Sequence, residues 1–164
     1  MRDTTERAHW RSLTPPGRVG AGGRAPEWLA ETYWRSLVRT VAGTTRAEGA
    51  PLGPLRLRLG RRGPVLLAFG PAEVRRDGGG LVLRYPILGG LATRRPGGTL
   101  ELVLRDDAAG VVVRGYAQRL AGRRGALRPV GVLYGVCQRG VHAVVTRGYL
   151  RRLQRELDAP SVGP

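Results

Sequence analysis

The sequence predicts an α+β protein: a curved antiparallel β-meander of about five to six strands, covered by a long C-terminal helix, with one N-terminal helix. Three stretches carry this expectation. Leu81–Leu120 alternates apolar and polar residues between turn-forming clusters, Pro26–Ala42 repeats its apolar residues at helical spacing, and Pro129–Leu157 does so over a longer span.

In the first of these stretches, Leu100, Leu102 and Leu104 alternate with Glu101, Val103 and Arg105, the period of a half-buried strand. Asp106–Gly110 (DDAAG) reads as a turn, because aspartate favours turn starts and glycine tolerates positive φ. That turn pairs Leu104 with Val111, Leu102 with Val113 and Leu100 with Gly115, and sets Val103 against Val112 and Glu101 against Arg114. One face is then wholly apolar, and a one-residue slip would mix the two faces. The apolar face shrinks along the last strand through Val111, Val113, Gly115 and Ala117, leaving room for a helix or a ligand. Upstream, Leu81–Tyr85 alternates, Pro86 belongs at an edge, bulge or bend, and Gly89-Gly90 reads as a sharp bend or a close backbone approach. A phosphate-cradling loop there lacks the strand–GxxxxGK[ST]–helix context.

The chain divides into a basic Pro/Gly-rich tail over 1–25, a single domain over 26–158 and a short C-terminal tail over 159–164. In the helix of Pro26–Ala42, Pro26 suits the first position, Glu27 and Glu31 favour the start, and Arg35 and Arg39 the end. Leu29, Tyr33, Trp34, Leu37 and Val41 form its apolar stripe, read as core before ligand site, and Gly43 its C-cap. Thr44–Pro54 reads as a linker, followed by strands at Leu55–Leu59 and Val65–Phe69.

In Pro129–Leu157, Val130, Leu133, Cys137, Val141, Val144, Val145 and Gly148 share one helical face. Beyond Gly148 the apolar set (Tyr149, Leu150, Leu153, Leu157) rotates, which predicts a bend or a new packing partner. Val130–Val136 also alternates as a strand, so helix and strand both stand for that segment. Beside the apolar face, Tyr134, Gln138, His142 and Thr146 recur every fourth residue as a polar stripe, which Gln118 is placed to join.

Composition bounds the function. With 164 residues the chain is long enough for one real core, and its single Cys137 excludes an internal disulfide or a multi-cysteine zinc site and fits a reducing cytoplasm. No apolar run approaches the roughly 18 residues of a membrane span, and no signal-peptide core opens the chain. The formal charge is +16, yet all 28 basic residues are arginine. That usage, with abundant Gly, Ala, Pro, Val and Leu, points to a GC-rich genome and weakens charge as evidence for nucleic-acid binding. Arginine pairs nevertheless recur at turns. In a meander, Arg61, Arg62, Arg94, Arg95, Arg123 and Arg124 gather at one end, while Arg75 and Arg76 share the other with Asp77, Asp106 and Asp107.

The LVLRYPILGGLA stretch, the LELVL and VVVRGYAQRL strands and the closing YGVCQRGVHAVVTRGYLRRL together resemble, in layout, the helix-grip fold of the START/polyketide-cyclase-like superfamily. The resemblance spans about Pro26–Leu157 and rests on no motif. It implies a C-terminal helix lying across the sheet and enclosing an apolar cavity for lipids, polyketides or similar ligands. That superfamily opens with a β-strand and two short helices, where this sequence displays one helix after a tail.

The expected function is non-enzymatic binding of a small apolar or amphipathic ligand between sheet and C-terminal helix, with Tyr134, Gln138, His142, Thr146 and Gln118 at its polar end. The alternative is an anionic partner, nucleic acid or an acidic membrane face, held by Arg61, Arg62, Arg94, Arg95, Arg123 and Arg124. A cyclase or hydrolase built on His142 ranks last, because no acid on the same stretch orients that imidazole and no nucleophile sits at a matching spacing. No cofactor and no metal is expected, since further ligands for a site at His142 are missing.

Overall fold

The computed structural model describes residues 7–12, 23–40, 45–77, 79–93, 96–115 and 145–157. In chain order the elements are β1 (Arg7–Ser12), α1 (Pro26–Thr40), β2 (Thr45–Gly49), β3 (Leu55–Leu59), β4 (Val65–Phe69), β5 (Glu73–Asp77), β6 (Gly80–Gly89), β7 (Thr99–Leu104) and β8 (Ala108–Arg114). Residues 145–157 form a second helix, α2. The strands build one antiparallel sheet in the order β1-β8-β7-β6-β4-β3-β2, with β5 also paired to β6. Helices and an antiparallel sheet arranged this way are the predicted α+β class.

Three of the eight strands were not legible; one of them, β5, places Arg75 and Arg76, read as turn residues, in a strand paired with β6. Arg7–Ser12, expected within a tail, pairs with β8 along its whole length, and Thr45–Gly49, expected within a linker, pairs with β3. Both close the two ends of the strand order. An edge strand is held by backbone hydrogen bonds along one side and needs no continuous apolar face, so RAHWRS and TRAEG carry little alternation to read. With β1 in place, a strand precedes the first helix.

The β7–β8 register is offset by two residues from the expected one. Leu104 faces Ala109, Leu102 faces Val111, Leu100 faces Val113, Val103 faces Gly110, and Arg114 lies opposite Thr99. The cause is a tighter turn. Arg105 N–H donates to the Ala108 carbonyl at 2.7 Å, so the chain reverses at Asp106-Asp107, and Ala108–Gly110 belong to the strand. Gly110 is a paired strand residue rather than the turn glycine. A two-residue offset preserves the faces, so the apolar side survives, and Arg114 still reaches Glu101 diagonally at 3.5 Å.

β6 runs unbroken through Pro86 because its neighbour yields instead. β4 and β5 lie along the same edge of β6 and are interrupted between them, where Gly70 N–H donates to the Pro86 carbonyl at 2.9 Å. A Cβ on Gly70 would lie 2.8 Å from Pro86 Cγ, so the proline ring occupies the space a side chain would take. At the far end of β6, Gly89 and Gly90 both take positive φ, and a Cβ on Gly90 would run into the Leu66 backbone. Of the two predicted readings, the close backbone approach is the one found, between two segments of the same chain.

Both helices bury their apolar residues in one cluster with Leu81, Leu83, Tyr85, Leu100, Leu102 and Leu104 of the sheet. Trp34 is its centre. Its ring lies 5.0 Å from Tyr33, 5.2 Å from Phe69 and 5.4 Å from Tyr85, with Tyr33 and Tyr85 edge-on. Tyr33 in turn meets Tyr149 of α2 edge-on at 5.3 Å. Trp34 Nε1–H donates to Tyr85 Oη at 3.4 Å, and Tyr85 donates to the Pro51 carbonyl at 2.7 Å. Burial pushes the Tyr85 phenol up to about 12, against a smaller lowering by the Trp34 hydrogen bond. The aromatic stripe of α1 is core, as read; Val41 and Gly43 lie outside the described residues.

Truncating the ring on which three others pack should cost about 3–5 kcal/mol. Urea unfolding of Trp34→Ala checks this, and a loss below about 1 kcal/mol, the scale of an ordinary substitution, would show that Trp34 is not central.

Candidate ligand site

Helix α2 meets the core through Val145, Tyr149, Leu150, Leu153 and Leu157, all nearly inaccessible. These positions recur at three- and four-residue steps, so one stripe runs the length of the described helix; the upstream face from which a rotation was expected lies outside the described residues. Gly148 is on the other side, exposed. Gly148 is therefore not on the apolar face where it was expected, and the members of that face upstream of 145 lie outside the described residues.

Two polar groups sit inside that stripe. Thr146 is 1 % exposed and Tyr149 is 0 % exposed. Neither Thr146 Oγ1 nor Tyr149 Oη has a hydrogen-bond partner among the described residues. They are three residues apart, hence neighbours on one helix face. Burial, with a further contribution from nearby Tyr33, Tyr85 and Glu156, pushes the Tyr149 phenol far above the ordinary tyrosine range, so it remains a protonated donor. A buried hydroxyl left unpaired costs about 1–3 kcal/mol, and buried polar groups in folded proteins are normally satisfied. Two such hydroxyls on one turn offer donors and acceptors to a carbonyl, hydroxyl or carboxyl group, or to water.

A carboxylate fixes the helix that carries them. Glu156 of α2 accepts from Trp28 Nε1–H at 2.9 Å and from Thr32 Oγ1–H at 3.2 Å, both on α1, and from Arg152 Nε–H at 2.7 Å. Burial pushes the Glu156 carboxyl up, but the Arg152 hydrogen bond and charge, with the bonds from Trp28 and Thr32, outweigh it and hold the group below the usual carboxylate range. Arg24 stacks over Trp28 at 5.1 Å, on the same helix end.

Of the residues named from sequence, Thr146 falls in this site, deeper than the edge position expected. Tyr134, Gln138, His142 and Gln118 lie outside the described residues. Tyr149 was missed because it counted as an apolar member of the stripe; its hydroxyl, three residues from Thr146, was the available signal. Arg61 and Arg62 are exposed on the turn between β3 and β4, and Arg94, Arg95, Arg123 and Arg124 lie outside the described residues. Leu91 N–H donates to the Val65 carbonyl at 3.0 Å and Ala92 N–H to the Leu66 carbonyl at 3.0 Å, so the loop after β6 begins beside the Arg61-Arg62 turn. At the opposite end, the turn before β6 and the turn after β7 meet, with Gly79 near the Asp106 carboxylate. Among the described residues no cluster of three or more His, Cys, Asp or Glu could hold a metal, and no helix is long and apolar enough to cross a membrane.

No protein-family model matches the chain, and no curated protein matches it significantly. Among solved structures it is similar to the crystal structure of Ara h 8.0201, with 11% sequence identity and a TM-score of 0.44, over 91% of this chain and 99% of that one. The α+β class rests on the elements of this chain described above.

Because the folded-state value of Glu156 lies below its unfolded value, near 4.5, its contribution to stability is present above that value and is lost as pH falls through the depressed folded value. Glu156→Gln should therefore be less stable than the parent at neutral pH, with the difference shrinking under acid. Unfolding curves across the acid range check this; a difference independent of pH would contradict it.

Proposed function

We propose that this protein binds a small apolar or amphipathic molecule between the sheet and α2, without catalysis, and that the Thr146 and Tyr149 hydroxyls hold its polar end. The observation that carries the reading is the pair of fully buried hydroxyls on one turn of α2 that have no partner among the described residues. Apolar surroundings with a few convergent polar groups are what ligand pockets for such molecules present. Tyr134, Gln138, His142 and Gln118 are proposed to extend the same polar end, from the sequence periodicity alone. The helix-grip resemblance of the sequence points to the same class of ligand.

The paired substitution Thr146→Val with Tyr149→Phe tests this. In ligand-stripped protein it removes two unsatisfied hydroxyls at nearly constant shape, so stability should hold or rise. Reloaded with the organic extract of the parent protein, the parent should gain in melting temperature and the variant should gain less. Equal gains would sink the role given to these hydroxyls.

A second reading is favoured by one observation: the exposed Arg61-Arg62 turn adjoins the start of the loop that carries Arg94 and Arg95. We propose this end, with Arg123 and Arg124, as a docking patch for an anionic surface, nucleic acid or an acidic membrane face. Affinity for duplex DNA would then fall with salt by about 0.9 log units per phosphate contact for each tenfold rise in concentration. Arg61→Gln with Arg62→Gln should flatten that slope, and an unchanged slope would remove the patch from consideration.

A further inference from the structure

On the solvent side of the two helices lies an open cleft of about 330 Å³, lined by Ser36 and Arg39 of α1 and by Gly148, Arg152 and Arg155 of α2. Its make-up follows from the helix phases. The stripe of Val145, Tyr149 and Leu153 turns to the core, which leaves Gly148, Arg152 and Arg155 on the flank facing α1. Gly148 has no side chain and Ser36 a short one, so the two helices leave space where larger residues would fill the groove. The Ser36 hydroxyl is directed to the Thr32 carbonyl at 2.7 Å.

Three of the five lining residues are arginines, and none is acidic. The carboxylates nearby on the same helices are engaged: Glu156 by Arg152, Trp28 and Thr32, and Glu31 by Arg35 at 3.2 Å. Arg39 and Arg155 make no ion pair or hydrogen bond among the described residues. Arg39 also sits in the last turn of α1, where a cation answers the negative end of the helix dipole. Guanidinium groups around one cleft repel each other until an anion enters, and their planar forks match the oxygens of phosphate better than point charges do.

We infer that this cleft is a binding site for a phosphate group, carried by a small soluble molecule or by a lipid headgroup. Arg39 and Arg155 supply the free donors, Arg152 adds charge while remaining tied to Glu156, and Gly148 provides the room. The volume falls near the lower end of ligand clefts, roughly 300–1,000 Å³, which suits a small phosphorylated group. The site is separate from the Thr146–Tyr149 pair, which faces the core from the other side of α2, and it does not depend on the arginine turns of the sheet.

The test uses the full chain, with inorganic phosphate in calorimetry as one probe and phosphatidylcholine vesicles containing phosphatidic acid in a flotation assay as the other. Arg39→Gln with Arg155→Gln is compared with Arg56→Gln with Arg75→Gln, which removes the same charge from two exposed positions outside both proposed sites. All four side chains are exposed, so both variants should keep the parental circular dichroism. The expected result is binding of at least one probe, weakened about tenfold or more by the first variant and far less by the second. Binding of free phosphate identifies a soluble ligand, and binding of vesicles alone identifies a headgroup. Binding of neither probe, or equal weakening by both variants, overturns the inference.

Discussion

The apolar face shared by β6, β7 and β8 is the constraint on which the rest of the molecule depends. Leu81, Leu83 and Tyr85 stand beside Leu104, Leu102 and Leu100 across the ladder, and Leu102 and Leu100 beside Val111 and Val113. Such a face must be covered, because each buried aliphatic side chain contributes roughly 1.5–3 kcal/mol only once water is removed. One helix cannot span it. α1 brings Trp34 onto Tyr85 and Phe69, α2 brings Tyr149, Leu150 and Leu153, and the Tyr33–Tyr149 edge contact joins the two helices.

The joint between the helices is polar on its outer side. A single carboxylate, Glu156, gathers an indole, a hydroxyl and a guanidinium, which sets how far α2 can slide along α1. Both candidate sites follow from that setting. On the core side it leaves Thr146 and Tyr149 with buried hydroxyls and no partner among the described residues. On the solvent side it leaves Arg39 and Arg155 facing the gap over Gly148. One rigid pair of helices thus presents an apolar, weakly polar surface inward and a strongly cationic one outward.

The parts legible in the sequence were those that bury one face. α1 fills Pro26–Thr40 of its predicted span, and β6 to β8 kept their predicted faces, because amphipathic periods are imposed by burial. β1 and β2 left no such trace, being held by backbone pairing at the two ends of the sheet. The β7–β8 register missed by two because Gly110 resembles a turn residue and its role in the ladder depends on Val103 and Trp10 on the neighbouring strands. Thr146 was singled out by its four-residue spacing, and the fold buries it; its part in holding a ligand is the proposal above. The Glu156 clamp was not legible, since its partners Trp28 and Thr32 are 128 and 124 residues away in sequence. The arginine cleft was hidden for the same reason: its two walls come from opposite ends of the chain.

The proposed ligand would lie between the sheet and α2. Native mass spectrometry of the protein, purified from its own source through a high-salt wash, tests that proposal most directly. Salt weakens exposed ion contacts but leaves an enclosed apolar ligand in place. The account predicts a discrete small-molecule adduct that survives the wash and is lost on organic extraction. A clean polypeptide mass, with no adduct before or after extraction, would contradict it.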